Sequence, residues 1–321
     1  MKIFRVFAAA LSMLAGAQAQ AQPYPSRPIT MIVPFAPGGI ADITGRPLAA
    51  VMSRILGQNI VVDNKPGAGG AVGHALTAKA KPDGYTIMMA LSSITVIPEA
   101  DKVNGRPASY QMTDFTPIAL ISADPTVLLV SADSPWKTLK DLVEDARARP
   151  GKISYSTSGL YGTTHTCLEM FAQAAGIKML HVPYNGGGPS MTALLANQVD
   201  VTAQAPGVAN PHVKSGKVRA LASWGAQRLP SIADIPTMRE SGYEAEFYIW
   251  SALFAPAGIP AEVRERLTAA ARQAVQEQDF QKTMTGMNTP INFREGRDFE
   301  TFLQSDGGRL AEVVRKMGKT E

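Results

Sequence analysis

Two stretches interrupt an otherwise regular alternation of strand and helix signals, and they limit the architectures open to this chain. Thr116 to Val130 and Glu246 to Ala255 are long and apolar, longer than ordinary strands of about 5–6 residues. Strands of that length can run from one domain into the next. They read as the two crossovers of a bilobal protein. Residues 22–124 and 246–321 then form one domain, with both chain ends, and residues 125–245 form the other. A chain of 321 residues is long enough for two such cores.

Around the crossovers the pattern is α/β. Ile29 to Val33, Asn59 to Asp63 and Tyr85 to Met89 are β-rich runs, separated by helical patterns at Ala41 to Leu56 and Gly70 to Ala80. Pro47 should delay the start of the first helix or kink it. The second region repeats the logic. Thr138 and Asp141 form a capping-box pair ahead of a helix from Leu139 to Arg149. Ile153 to Thr157 reads as a strand, Thr163 to Ala175 as a helix stopped by Gly176, Met179 to Val182 as a strand and Pro189 to Asn197 as a helix. Val199 to Ala203 and Val218 to Ala222 are further strands, and Ala261 to Gln276 and Phe299 to Lys316 are long C-terminal helices. Strands alternating with helices predict parallel sheets.

The N-terminus predicts export. A basic head with Lys2 and Arg5 precedes an apolar run from Val6 to Gly16, too short to span a bilayer, and small-x-small cleavage sites end at Ala19 and Ala21. Residues 1–21 are therefore expected to be a signal peptide and the mature protein periplasmic. The net charge is +4, and removal of Lys2 and Arg5 would leave about +2. That is too weak a balance to argue for nucleic acid, though it favours anionic ligands. The single cysteine, Cys167, excludes an intrachain disulfide and reads as a small buried residue.

Three loops share one design: each follows a strand, is rich in Gly, Ser or Thr, and opens a helix. They are Pro34-Phe35-Ala36-Pro37-Gly38-Gly39, Ser156 to Thr163, and Pro183-Tyr184-Asn185-Gly186-Gly187-Gly188. Ligands of open α/β sheets collect at the carboxyl ends of strands, where free N–H groups at a helix start favour anions. Such loops can hold a carboxylate without Arg or Lys; as single loops they are equally well tight connections. A fourth, Asp63 to Gly70, lacks the third glycine of a dinucleotide loop because Val72 stands there, and reads as a tight turn.

Enzyme signals are thin. His74, His165, His181 and His212 have no metal-ligand spacing, and there is no Gly-x-Ser-x-Gly elbow. His165, near the second loop, reads as a capping or supporting residue before a general base. A secreted hydrolase using a serine of the Ser156 loop, such as Ser158, with His165 stays open as an alternative, since a triad is defined in space. Phe35, Tyr161, Tyr184 and Trp250 are the aromatic candidates for a pocket wall. No cofactor or metal is expected.

These residues carry a resemblance. Val33-Pro34-Phe35 with Pro37-Gly38-Gly39 and Asp42, Asp63 to Gly70, Pro82 to Tyr85, His181 to Gly187, Arg219 to Ala222, Ile235-Pro236-Thr237 and Ala255 to Gly258 occur in the order seen in the Bug family. The chain resembles these extracytoplasmic solute receptors of tripartite tricarboxylate transporters from about Pro28 to its end. The resemblance implies a two-domain periplasmic-binding-protein fold (type II-like, parallel-rich sheets, two crossover strands) that closes on a small carboxylate, and a membrane permease as partner. A monomer suits such a carrier. The ligand contacts it implies are Phe35, Ala36, Pro37, Gly38, Gly39, Asp42, Ser92 and Ser93 in one domain. In the other they are Ser158, Gly159, Gly162, Thr163, His165, Tyr184, Asn185, Gly186 and Gly187. Tyr161, where relatives usually carry glycine, and Gln204, where many carry an acidic residue, belong to the same site and turn the expectation toward a non-amino carboxylate, aliphatic or aromatic. Signalling to a sensor partner is the alternative to transport.

Overall fold

The computed structural model describes residues 23–319. The signal-peptide reading at residues 1–21 lies outside them. Among the described residues eleven strands are divided between two mixed sheets. A six-stranded sheet has the order β11-β4-β10-β3-β1-β2 and a five-stranded sheet the order β7-β6-β8-β5-β9. In the first, β1 (Ile29–Val33) pairs in parallel with β2 (Ile60–Asn64) and β3 (Thr86–Leu91), while β4 (Phe115–Pro125), β10 (Tyr248–Pro256) and β11 (Ile291–Glu295) add antiparallel strands. In the second, β6 (Ser154–Thr157) runs parallel to β7 (Leu180–Pro183) and β8 (Val201–Gln204), and β5 (Val127–Ser131) lies antiparallel between β8 and β9 (Val218–Ser223). The parallel pairs are the βα units read from the sequence; the antiparallel ones come from the strands that follow the crossings.

The crossing at Thr116 to Val130 is not one strand. It breaks at Thr126 into β4 in the first sheet and β5 in the second. The other long apolar run differs from expectation: β10 lies wholly in the first sheet, and the chain crosses just before it. There Thr126 N–H donates to Phe247 O, Phe247 N–H to Trp224 O and Trp224 N–H to Thr126 O. Three segments thus meet at one junction, with buried Cys167 beside Thr126. Burial pushes that thiol well up, consistent with an inert packing residue.

Helices follow the local signals closely. In α1 (Ile40–Leu56) the residues Ile40, Thr44, Leu48, Met52 and Leu56 are all buried, at the four-residue spacing of one helical face. Each buried Leu or Met there contributes about 1.5–3 kcal/mol. The helix starts at Ile40 and runs through Pro47, so the proline does not delay it. Next come α2 (Ala71–Ala78) and α3 (Ser93–Val103). The helix α4 (Leu139–Ala148) opens on the expected box, with Asp141 N–H donating to Thr138 Oγ1 at 3.2 Å and Thr138 N–H donating to Asp141 Oδ2 at 2.8 Å. In turn, α5 (Thr163–Ala175) ends at Gly176 in the left-handed conformation, φ 62°. The remaining helices are α6 (Gly187–Leu195), α7 (Pro206–Lys214), α8 (Ala261–Ala274), α9 (Gln278–Gly286) and α10 (Gly296–Met317). α10 packs on α3 and β4 of the first half and reaches α5 of the second. Sequence patterns alone do not announce α3, α7, α9 and β11. Among the described residues no helix is long and apolar enough to cross a membrane, and no group of His, Cys, Asp and Glu is placed to hold a metal.

Candidate ligand-binding cleft

Each of the three loops does open a helix. Gly39 caps α1, Gly162 caps α5 and Gly186 caps α6, and none of the three caps uses a side chain. The first N–H groups of these helices are therefore left to whatever lies before them. The loops of the two halves face each other closely. Ala36 N–H donates to Asn185 O at 2.9 Å. Ser92 Oγ and Ser93 N each lie 3.3 Å from Thr163 Oγ1. Glycine makes the approach possible: a Cβ on Gly188 would lie 2.4 Å from Pro37 O, and one on Gly159 2.6 Å from Gly69 N. The second of these contacts shows that the fourth loop, read as a tight turn, also meets the opposite half.

Between the loops lies a cavity of about 20 Å3, bounded by Phe35, Gly39, Ile40, Ala41, Leu91, Ser158, Thr163, Thr164, Gly187, Gln204, Ala205 and Ile249. That is room for about one water. Its lining carries no charged side chain. A larger groove of about 520 Å3 lies between Leu229–Ser231 and the segment from Gln281 to Ile291, away from the three loops.

Six of the expected site residues line the cavity: Phe35, Gly39, Ser158, Thr163, Gly187 and Gln204. Ala36, Asn185, Gly186, Ser92, Ser93, Gly159 and Gly162 form the contacts between the halves or the turns behind them. Pro37, Gly38 and Tyr184 lie at an outer rim with Gly188 and His212. Asp42 works behind its loop. It accepts from Gly38 N at 3.1 Å, Arg46 Nε at 2.9 Å and Asn64 Nδ2 at 3.0 Å, while Asn64 Nδ2 also donates to Phe35 O at 2.9 Å. Burial pushes the Asp42 carboxyl up, but the donors Arg46, Asn64 and Gly38 N–H outweigh it, so the group stays below the usual range.

Two aromatic expectations are corrected. Tyr161 turns away from the cavity: its hydroxyl accepts from Asn104 Nδ2 at 2.8 Å and donates to Gly318 O at 3.1 Å, beneath the end of α10. Trp250 points to the far face of its sheet, where Nε1–H donates to Asp306 Oδ2 at 2.7 Å; its neighbour Ile249 lines the cavity. His165 supports the second loop. Its Nδ1 accepts from Tyr161 N at 3.0 Å, and its ring stacks on His181 with centroids 4.1 Å apart. Burial, then the neighbouring His181, lowers its pKa to about 3, so the ring is neutral. Ser158 Oγ instead accepts from Thr164 Oγ1 at 3.1 Å. Among the described residues no hydrogen bond joins Ser158 to His165, so the hydrolase pair is not assembled.

Sequence reasoning misses Ile40, Ala41, Leu91, Thr164, Ala205 and Ile249 as lining residues. Each is adjacent in the chain to a residue that such reasoning does single out, so the signal is present but offset by one position.

A profile described as "Tripartite tricarboxylate transporter family receptor" matches residues 44–319. The chain belongs to this receptor family. Among solved structures it is similar to the periplasmic binding protein BugD (34% identity, TM-score 0.85, covering 91% of this chain and 98% of that one). It is also similar to MatC (Rpa3494) from Rhodopseudomonas palustris with bound malate (28%, TM-score 0.83, 91% and 100%). A third is R. palustris Rpa4515 with adipate (28%, TM-score 0.85, 91% and 97%). Bug-type receptors of this family are exported solute-binding proteins, and the α/β two-sheet architecture described above is theirs.

Proposed function

We propose that this receptor captures a small carboxylate between its two halves and delivers it to the membrane component of a tripartite tricarboxylate transporter. The observation that carries the reading is the convergence of Gly39, Thr163 and Gly187, all at helix starts, around a cavity without charged side chains. Unused N–H groups and helix dipoles favour an anion there. Ser158, Thr163 and Gln204 add neutral hydrogen-bonding groups. The bound malate and adipate of two structural relatives support the class of ligand.

A cavity of 20 Å3 is far below the ≈300–1,000 Å3 of ordinary ligand pockets, so entry requires the halves to part. In this reading residues 22–124 with 246–321 move against residues 125–245, about the junction of Thr126, Trp224 and Phe247. Few hydrogen bonds cross between the loops, and a ligand that touches both sides favours the closed arrangement over the open one. The proposal includes export to the periplasm with cleavage near Ala19 or Ala21, action as a monomer and no enzymatic step.

The test is a thermal-shift screen of the mature protein against a panel of small carboxylates. A ligand at 100 times its dissociation constant should stabilise the fold by about 2.7 kcal/mol. A shift with one chemical group of acids supports the reading. Absence of any shift, together with mass spectrometry finding no co-purified acid, refutes it.

A further inference from the structure

The floor of the cleft carries polar groups that the three loops do not account for. β4 and β10 lie side by side where the halves join. Their register sets Asp124 opposite Ile249 and Ser122 opposite Ser251, and β3 sets Leu91 opposite Ser251. Directly opposed residues project to the same face of a sheet. Leu91 and Ile249 line the cavity, so Asp124, Ser122 and Ser251 stand on its side of the sheet, immediately beside its lining. Trp250, one position away, goes to the opposite face, as alternation requires.

All three polar residues are fully buried. Both carboxyl oxygens of Asp124 and the hydroxyls of Ser122 and Ser251 lack a hydrogen-bond partner among the described residues. Burial raises the Asp124 carboxyl well above the usual range, against a smaller opposing effect of the nearby Ser122 hydroxyl. Leaving such groups unsatisfied is costly, about 1–3 kcal/mol for each neutral one. No cationic side chain lines the cavity to relieve it. In either protonation state Asp124 retains an oxygen that can accept, and each serine hydroxyl can accept as well as donate, so a donor on the ligand finds partners there.

We infer that Asp124, Ser122 and Ser251 form a second polar subsite at the floor of the cleft, which accepts a hydrogen bond from a hydroxyl or ammonium group of the ligand. The inference rests on the carboxylate reading above and narrows it to hydroxy- or amino-carboxylates. Helix starts take the carboxylate, and the floor takes the donor beside it.

The experiment is titration calorimetry with two matched sets of acids that differ only in that group: succinate, malate and aspartate; phenylacetate, mandelate and phenylglycine. The native protein should bind the hydroxyl or ammonium member of a set at least about tenfold more tightly than the unsubstituted member. Asp124→Leu should bring the members within about twofold of one another. Asp124→Asn, which keeps the shape and one carbonyl acceptor, separates the two donors. It retains part of a hydroxyl preference and loses an ammonium preference. An unsubstituted acid that binds the native protein as tightly as its partners overturns the inference but leaves the carboxylate reading standing. So does an Asp124→Leu protein that weakens all members equally. If neither set binds, the inference falls, and the panel screen above decides the carboxylate reading.

Discussion

The two halves present helix starts to the same cavity but hold them in place with different chemistry. In the first, the loop before α1 is tied down by an ionic cluster in which Asp42 gathers Arg46, Asn64 and the Gly38 amide. In the second, the loops before α5 and α6 are held by neutral groups. Thr164 accepts from Ser158 N at 2.8 Å, His165 accepts from Tyr161 N, and Gln204 Nε2 donates to Gly187 O at 3.1 Å. The ionic cluster is stiff but costly to disrupt in part, since losing one member strands the others. The neutral network keeps fixed charge away from the place proposed for the carboxylate. A charge therefore serves this protein behind a loop and would harm it at the cavity.

The sharpest way to break that contrast is to put a charge where the neutral half meets the cavity. Gly187→Asp would set its Cβ 2.9 Å from Gln204 Oε1, so the end of the Gln204 side chain must shift to admit it. Carboxylate affinity should fall by about 100-fold or more, the scale of about 3 kcal/mol for an unfavourable buried charge contact. The melting temperature should stay close to native. Undiminished affinity in the folded variant would contradict the site.

Removing the ionic anchor should act mainly on stability. Asp42→Ala leaves the Gly38 amide without its acceptor and Asn64 Nδ2 with Phe35 O alone, and should cost about 2 kcal/mol in urea denaturation. Ligand affinity should fall less than with Gly187→Asp. An equal loss of affinity would mean that Asp42 touches the ligand.

A third effect is a difference in pH response. His165 and His181 are held neutral in the second half, with pKa values lowered by burial to about 3 and about 4 from 6.5. The unfolded chain binds protons that the folded one refuses, so this stability is full above pH 6.5 and is lost as pH falls toward about 4. Asp42, also lowered, keeps its contribution through that window and loses it only further down. The loss amounts to at most about 1.4 kcal/mol per pH unit for each histidine. His181→Gln should flatten the decline of the melting temperature between pH 6.5 and 4.5. Buried His74 in the first half, at about 3, has the same sign and will leave a residual slope. A slope unchanged in His181→Gln would remove the second-half histidine from this account.

Much of the site is legible in the chain itself, because helix starts are local. Gly39, Gly162 and Gly187 follow strands and open apolar-periodic segments, and Thr138 with Asp141 announces its helix in four residues. The misreadings share one cause: which way a side chain faces is set by distant parts of the chain. β10 is apolar on both faces, buried above and below, so periodicity offers no way to choose Ile249 over Trp250. Tyr161 stands in a ligand-type loop but points away from the cavity, to Asn104 and to Gly318 at the end of α10, 157 residues further on.

The sequence by itself determined most of the elements, the Thr138–Asp141 cap and the family. These depend on spacing within a few residues and on short motifs kept in order. Only the tertiary structure decided which loops touch and which side chains reach the cavity. It brought Ala36 to Asn185 and Ser93 to Thr163, across the boundary between the sheets. It also buried Asp124, without a hydrogen-bond partner among the described residues, on the cavity side of β4. Such facts depend on how the two sheets dock, and docking is set by the summed shape and polarity of surfaces whose residues lie far apart in the chain.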